Sequence, residues 1–410
     1  MRNVLVNWLV AAAVALGLCA CGGTVGPDPG PTPPEVLPQT PGKDVFYKGT
    51  TMSFASYLQD LGLVYRENGV ETDPYLSVAT HGGNCVRLQL DMVPFEKYDG
   101  VTIDWQAWDR VLADAKKAQA NGLYIFLTLK PDYDKFSDNN ATSHNNLPAE
   151  WSSLSDTQVG QKLHDWVYGR LVALANEGVY PAIVAVGNEV NLGFLRGRNV
   201  VDNSRTGRLL QYGFQAVREY AVEYNPACLS ALHIADPSRA DYSVRDIEAA
   251  GGDDYDVLAL SYYPGSNIGH GAPLGGSFSV MAKSFSKPLM VLETAYSFNY
   301  GYDNGKWKGD DCNNAYNYPD WNTAQNEMHY TPAMGRSWLG SLARDIKMGG
   351  GIGLITWGTE SLPDEPNHGK GLYTYPASWG HGSTWENNSY WDFTKGNNLH
   401  EGIDWMKDIQ

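Results

Sequence analysis

The sequence predicts an α/β protein with a (β/α)8 TIM barrel fold. Short apolar segments alternate with segments of helical periodicity from residue 43 to residue 410, and no linker or repeat interrupts this order. Most of the apolar segments are hydrophobic at nearly every position, as parallel strands buried on both faces are. A doubly wound open sheet is the alternative, but no glycine-rich phosphate-binding turn follows any predicted strand.

Eight predicted strands follow one another along the chain, of which the first has the weakest pattern. They cover residues 44–54, 84–90, 123–129, 182–187, 229–234, 256–262, 289–293 and 351–357. Apolar residues at helical spacing predict helices over 105–115, 159–174, 210–221 and 338–346. Ser155 and Gln158 have the spacing of a capping box at the start of the second helix. Strands that alternate with helices in one domain favour the closed barrel.

The first 42 residues have a different composition from the rest. After Arg2, an apolar run over residues 4–18 is shorter than the roughly 20 residues that span a bilayer and is typical of a signal peptide. The run ends in Leu18-Cys19-Ala20-Cys21, which resembles a bacterial lipobox. We expect a signal peptide over 1–20 and a lipidated Cys21 that begins a proline-rich linker over 21–42. Cleavage without lipidation is the alternative.

The net charge and composition of the chain exclude some classes of binding partner. The net charge of −16 disfavours nucleic acid and anionic membrane surfaces, so we expect membrane attachment only through a lipid anchor. Aromatic residues make up 12% of the chain, which argues against disorder and suits a compact enzyme. We expect the protein to be a monomer. Cys85, Cys228 and Cys312 show no metal-like spacing; Cys85 is predicted in the core, and one disulfide could form.

Two glutamates directly follow apolar strands. Glu189 comes after the fourth predicted strand and Glu293 ends the seventh. Catalytic groups of such barrels lie at the carboxyl ends of the strands. A glutamate directly after an apolar strand is costly to desolvate without a partner, which favours a functional role for it. Hydrolysis of a glycosidic bond needs two carboxyl groups in different protonation states, about 5–5.5 Å apart in a retaining enzyme. The pair therefore predicts a glycoside hydrolase, with two surface or ion-paired glutamates as the alternative.

The segments around both glutamates resemble glycoside hydrolase clan A. These segments are Gly187-Asn188-Glu189 and Glu293-Thr294-Ala295-Tyr296. Within the clan, the chain is similar to the endo-β-1,4-galactanases of family 53, from about Gly49 to Leu399. The other segments that carry the resemblance are 82–88, 232–236, 256–264, 355–358 and 385–388.

The resemblance implies a single catalytic domain over 43–410, a retaining endo-β-1,4-galactanase acting on galactan or arabinogalactan side chains of pectin. Glu189 would be the general acid/base and Glu293 the nucleophile. Asn188 would donate a hydrogen bond to the sugar 2-hydroxyl, and Arg87 would keep Glu293 ionised, with a purely structural ion pair as its alternative. The other substrate-binding candidates, each with a structural role as its alternative, are His233, Asp236, Tyr262, Tyr263, Trp357 and Trp385.

The chain departs from the family pattern at the ends of three strands, over 50–53, 89–91 and 128–133. These departures leave subsite contacts and the division between endo and exo action open. No cofactor is expected to be required. The loop over 302–314 contains Asp303, Asp310 and Asp311, which could hold a structural calcium ion, although a solvated polar loop is favoured.

Two other functions remain open. One is another clan A β-glycanase, a mannanase or glucanase, and the other is a surface glycan-binding lipoprotein without turnover. The two intact glutamates count against the second, because a binding protein needs no acid and nucleophile together. From the predicted export signal and linker, we expect either protein outside the bacterial cytoplasm, anchored to the membrane at Cys21 and at the cell surface.

Overall fold

A computed structural model of the chain describes residues 45–93, 97–98, 101–102, 104–137, 140–196, 201–235, 237–263, 282–298, 330–362 and 388–410. These residues lie in one compact unit, Pro38–Gln410. Several predictions fall outside them. They are the signal peptide, Cys21 and the linker, Cys312, Asp236, Trp385 and the calcium-loop residues Asp303, Asp310 and Asp311.

Eight parallel strands close into a barrel, which confirms the predicted fold. They are β1 (Tyr47–Thr51), β2 (Cys85–Asp91), β3 (Tyr124–Lys130), β4 (Ile183–Val186), β5 (Leu229–Ala235), β6 (Val257–Ser261), β7 (Leu289–Glu293) and β8 (Gly353–Thr356). Neighbours in the ring follow chain order, and β8 pairs with β1 to close it. Every predicted strand overlaps an observed one, including the weak first candidate.

Helices pack around the barrel. The described helices are α1 (Ala55–Asp60), α2 (Pro74–Thr80), α3 (Trp108–Ala120), α4 (Asp156–Asn176), α5 (Asn203–Glu223), α6 (Pro237–Ala249) and α7 (Pro332–Met348). The capping box of Ser155 and Gln158 at the start of α4 is confirmed. Trp105 is not helical as predicted; it lies in a turn before α3, where its ring packs 4.1 Å from that of Phe54.

Shorter strands lie outside the barrel. Arg66–Glu67, Val70–Glu71, Trp391–Asp392 and Asn398–Leu399 form a four-stranded sheet. Two hairpins pair Lys97–Tyr98 with Val101–Thr102, and Tyr133–Ser137 with Asn140–Asn146. Three 3₁₀ segments, at Ala149–Trp151, Val190–Leu192 and Phe393–Lys395, connect elements, and a fourth, Glu401–Met406, lies near the end of the chain.

Side chains alternate along the strands between the barrel interior and the surrounding helices. The interior has its own apolar cluster, formed by Tyr47, Cys85, Phe126, Ala182, Ile183, Ala185, Ala231, Val257, Ala259, Met290, Leu292 and Ile355. The intervening residues, such as Val86, Leu88 and Leu90 of β2, belong to the larger core between barrel and helices. Towards the carboxyl end of β2 the inward positions become polar, at Arg87, Gln89 and Asp91. The barrel interior is therefore apolar at one end and polar at the end where active sites of this fold lie.

Cys85 and Cys228 are buried free thiols, so neither forms a disulfide with the other. Among the described residues, the helices are too short or too polar to cross a membrane.

Candidate active site

Glu189 lies in a tight turn directly after β4. Gly187 opens the turn with a φ of 87°, and a Cβ there would lie 2.6 Å from Val190 Cγ1. Glu189 itself has left-handed backbone angles, φ 47° and ψ 50°. An L-residue pays about 1–2 kcal/mol for that conformation, so the surroundings must hold it there. One such contact is the Glu189 amide, which donates a hydrogen bond to Nδ1 of His233 (3.2 Å).

Glu293 reaches the barrel interior through an irregularity in β7. Met290 and Leu292 face the interior, and Leu289 and Val291 face the helices, so strict alternation would direct Glu293 outwards. Between Val291 and Glu293, however, the pairing with β6 shifts by one residue. A bulge of this kind re-aims the next side chain, and the Glu293 carboxylate contacts Arg87 inside the barrel.

Arg87 joins the ends of three strands. Its guanidinium is fully buried and forms an ion pair with Oε1 of Glu293. It also donates through Nη2 to Oδ1 of Asn188 (2.6 Å) and through Nε to Oγ1 of Thr128 (3.0 Å). The same group therefore compensates the charge of one glutamate and orients the residue beside the other.

Only one tyrosine of the Tyr262–Tyr263 pair faces Glu293. The Tyr263 hydroxyl donates to Oε2 of Glu293 (3.4 Å). Burial raises the pKa of Tyr263 well above its ordinary value, and the charges of Glu293 and Glu189 raise it further, so the phenol stays protonated. The charges of both glutamates therefore raise the pKa of this hydroxyl, and Glu293 also accepts its hydrogen bond. The ring of Tyr262 stacks parallel to that of Trp338 in α7, which places it outside the barrel wall.

His233 lies beneath the site rather than at the surface of a cleft. It is fully buried and lies between the Glu189 amide and Oγ of Ser261 (2.9 Å). Because Nδ1 accepts from an amide, the ring proton must be on Nε2, which donates to Ser261. Burial lowers the pKa of His233 well below 6.5, and the charge of Arg87 lowers it further. His233 is therefore neutral and supports the turn that carries Glu189.

Trp357 follows β8 and is mostly buried in the site. Its ring lies 5.5 Å from Cζ of Arg87, within the range of a cation–π contact. The ring of Phe54 meets it edge-on with centroids 5.7 Å apart. With 8% of its surface exposed, Trp357 presents little area to a ligand, and the contacts with Arg87 and Phe54 pack its ring within the protein.

Sequence reasoning missed two groups near these residues. Gln89 and Gln106 are buried side chains whose terminal amides contact each other at 2.5 Å. Glu360, in the loop after β8, is fully buried, and burial raises the pKa of its carboxyl to about 8 against the smaller opposing effects of backbone amides and Arg87. The signal for Gln89 was available, because residues 87, 89 and 91 put polar side chains on one face of an otherwise apolar strand.

No group of three or more His, Cys, Asp or Glu side chains within the described ranges is arranged to hold a metal ion. The site contains two glutamates, Glu189 and Glu293. Arg87 and Tyr263 donate hydrogen bonds to the carboxylate of Glu293. Such a set can transfer a proton and supply a carboxylate nucleophile without a metal.

Comparison with known proteins identifies relatives of the chain. An arabinogalactan endo-β-1,4-galactanase of Cellvibrio japonicus is 28% identical over 361 residues, which cover 86% of this chain and 88% of that protein. An endo-β-1,4-galactanase of Bacillus subtilis is 30% identical over 262 residues, which cover 62% of this chain and 57% of that protein.

Solved structures share the barrel fold. The Ignisphaera aggregans GH53 catalytic domain superposes with a TM-score of 0.69 at 23% identity, over 92% of this chain and 99% of that chain. A chain from the structures of two fungal β-1,4-galactanases gives a TM-score of 0.66 at 21% identity, over 89% of this chain and 100% of that one. The profile of glycosyl hydrolase family 53 matches residues 47–403. The chain therefore belongs to glycosyl hydrolase family 53.

Proposed function

We propose that the chain is a retaining endo-β-1,4-galactanase that hydrolyses the β-1,4-galactan and arabinogalactan side chains of pectin. The observation that carries the proposal is the position of Arg87, which binds Glu293 at the end of β7 and Asn188, the neighbour of Glu189, at the end of β4. Family membership and the galactanase names of the relatives support the substrate.

In the first step of the proposed reaction, the Glu293 carboxylate attacks the anomeric carbon. The bond from that carbon to the glycosidic oxygen breaks, and Glu189 delivers its proton to the departing oxygen. The product is a galactosyl ester on Glu293 and a free sugar end. In the second step Glu189 takes a proton from water, whose oxygen displaces Glu293 from the anomeric carbon. Two displacements at the same carbon give overall retention of configuration.

The remaining side chains have supporting roles in this proposal. Arg87 and Tyr263 orient the Glu293 carboxylate as the nucleophile, because both donate hydrogen bonds to it. Asn188 donates to the 2-hydroxyl of the sugar, and Trp357 lies under the ring in the subsite where cleavage occurs. Asp236 and Trp385 remain proposed substrate contacts from sequence.

A time course on polysaccharides tests the function. The enzyme should release reducing sugar from linear galactan far faster than from mannan or cellulose, and long oligosaccharides should appear first. Preference for mannan or cellulose would make the chain another clan A β-glycanase. Galactan binding without product release would make it a glycan-binding protein. One small product from the start would indicate attack at chain ends.

No cofactor takes part in the proposed reaction, since the steps use only protein groups and water. Incubation with a chelator should therefore leave kcat on galactan unchanged. A lower melting temperature after chelation, reversed by calcium, would support a structural calcium ion at Asp303, Asp310 and Asp311.

We also propose that the protein is exported and anchored through a lipid on Cys21. In the bacterial host, the full chain should partition with membranes and incorporate labelled fatty acid. Cys21→Ala should abolish both, whereas Cys19→Ala, two residues earlier, should retain the label. Labelling that survives Cys21→Ala would contradict the anchor.

A further inference from the structure

A row of buried polar side chains leads from the ends of β2 and β3 to the catalytic residues. Lys130 Nζ lies 3.5 Å from Oδ1 of Asp91. Gln106 lies between Asp91 and Gln89, and Gln89 in turn approaches Asn188. Gln89, Asp91 and Gln106 are exposed by 3%, 7% and 2% of their surface. Burial of such polar groups costs free energy unless each donor faces an acceptor. This requirement determines how the two amides are oriented.

The ion pair at one end of the row sets the direction of both amides. One end of the Gln106 amide lies 2.7 and 2.9 Å from the two carboxylate oxygens of Asp91, and the other lies 2.5 Å from the amide of Gln89. A carboxylate ionised beside Lys130 only accepts hydrogen bonds, so Gln106 must turn its nitrogen towards Asp91. The side-chain oxygen of Gln106 then faces Gln89. Gln89 must therefore turn its own side-chain nitrogen towards Gln106 to donate a hydrogen bond to that oxygen.

This orientation leaves the carbonyl oxygen of Gln89 facing Asn188. That end of the amide lies 3.5 Å from Oδ1 of Asn188. Oδ1 already accepts from Arg87 (2.6 Å), which turns the Asn188 nitrogen away from the guanidinium. Neighbouring side chains thus present one acceptor, the Gln89 oxygen, and one donor, the Asn188 nitrogen. A hydroxyl group can bind both, because it accepts through its oxygen and donates its hydrogen.

We propose that Gln89 binds the same sugar hydroxyl as Asn188, the 2-hydroxyl in the subsite where cleavage occurs, by accepting its hydrogen through Oε1. Gln106 and Asp91 are positioning residues in this proposal, because they fix which end of the Gln89 amide faces the sugar. The backbone amide of Asp91 donates a hydrogen bond to the backbone carbonyl oxygen of Gln106 (3.0 Å), which holds the two residues together. The inference rests on the proposed glycosidase function and adds a hydroxyl contact to it.

A comparison of substrates with and without the hydroxyl tests the proposal. The substrates are a nitrophenyl β-1,4-galactobioside and its analogue without the 2-hydroxyl on the sugar next to the nitrophenyl group. Gln89→Met and Gln106→Met keep unbranched side chains of similar size and remove the amides. Each should lower kcat/KM on the parent substrate, by about tenfold for Gln89→Met, and change that of the deoxy analogue by less than about threefold.

The matched control is Gln119→Met at the other end of α3, where the amide donates to the carbonyl of Gly178 (2.8 Å), away from the site. It should change neither rate. Equal losses on both substrates in the Gln89 and Gln106 variants, or no loss on the parent, would overturn the proposal. If wild type prefers a glucoside or mannoside, the galactan function fails, and the same ratio is measured on the preferred sugar and its 2-deoxy analogue. If wild type cleaves no glycoside, both proposals fail.

Discussion

Arg87 and Glu293 form an ion pair inside the barrel, with the arginine side chain fully buried and the glutamate side chain 9% exposed. The two residues come from β2 and β7, which are not neighbours in the ring. Inside the barrel each charge needs the other for compensation, since a buried charge without a partner costs far more free energy than the buried pair. The pair is therefore a structural link across the barrel as well as part of the site.

Removal of both partners should destabilise the fold by less than the sum of the two single removals. Arg87→Met should lower the free energy of unfolding by about 3–5 kcal/mol, because it leaves Glu293 charged and buried. In the double variant with Glu293→Gln, the loss should be smaller than the sum of the single losses by at least about 1 kcal/mol. Urea denaturation at pH 7 measures all four proteins. Strictly additive losses would show that the two side chains are not coupled.

The two adjacent tyrosines provide a matched pair of variants. Tyr263→Phe removes the hydroxyl that donates to Glu293 and should lower kcat on galactan by about tenfold, the usual size for a hydrogen bond to a charged group. Tyr262→Phe keeps the ring that stacks on Trp338 and should leave kcat within about twofold. Steady-state rates on the same galactan preparation measure both. The reverse order of effects would reject the assignment of Tyr263.

The buried Glu360 makes stability depend on pH. Its pKa is about 8 in the folded protein and 4.5 in the exposed state, so between these values the folded state keeps a proton that the unfolded state has lost. Its contribution to stability is therefore complete below pH 4.5 and decreases as the pH rises towards 8. Glu360→Gln does not titrate, so its stability relative to wild type should improve by roughly 2–4 kcal/mol from pH 5 to pH 8.

Equilibrium denaturation of wild type and Glu360→Gln at both pH values measures this difference. Groups elsewhere titrate alike in both proteins and cancel in the comparison. The same difference in unfolding free energy at pH 5 and pH 8 would mean that Glu360 is ionised in the fold.

The acid role of Glu189 predicts a dependence on the leaving group. Glu189→Gln should slow galactan cleavage by about 10²–10⁴-fold, because the departing sugar oxygen needs a proton. Formation of the galactosyl-enzyme from a dinitrophenyl galactoside should change little, since dinitrophenolate leaves without one. Pre-steady-state release of dinitrophenol measures that step. Equal slowing of every leaving group would argue against proton donation by Glu189.

Much of the barrel could be predicted because parallel strands buried on both faces leave continuous apolar runs. The same runs located the glutamates, since Glu189 follows β4 by a short turn and Glu293 ends β7. The direction of Glu293 could not be predicted. A shift of one residue in the pairing of β6 and β7 leaves no trace in composition, and regular alternation points the side chain the wrong way.

The role of His233 was predicted only in part. Alternation from Ala231 places His233 inside the barrel, but its support of the Glu189 turn depends on the left-handed backbone there. Gln106 was missed because its contact with Asp91 depends on how the segment between β2 and α3 folds back. Glu360 was missed because a glutamate in a polar segment after a strand is normally exposed.

Rescue with azide tests most directly whether Glu293 is the nucleophile and Glu189 the general acid/base. In Glu293→Ala, azide can occupy the place of the lost carboxylate and attack the anomeric carbon of an activated β-galactoside in a single displacement. The account predicts restored turnover and an α-galactosyl azide. In Glu189→Ala, azide should instead attack the galactosyl-enzyme formed on Glu293 and give the β-azide. A β-azide from Glu293→Ala, or substantial hydrolysis by that variant without azide, would contradict Glu293 as the nucleophile.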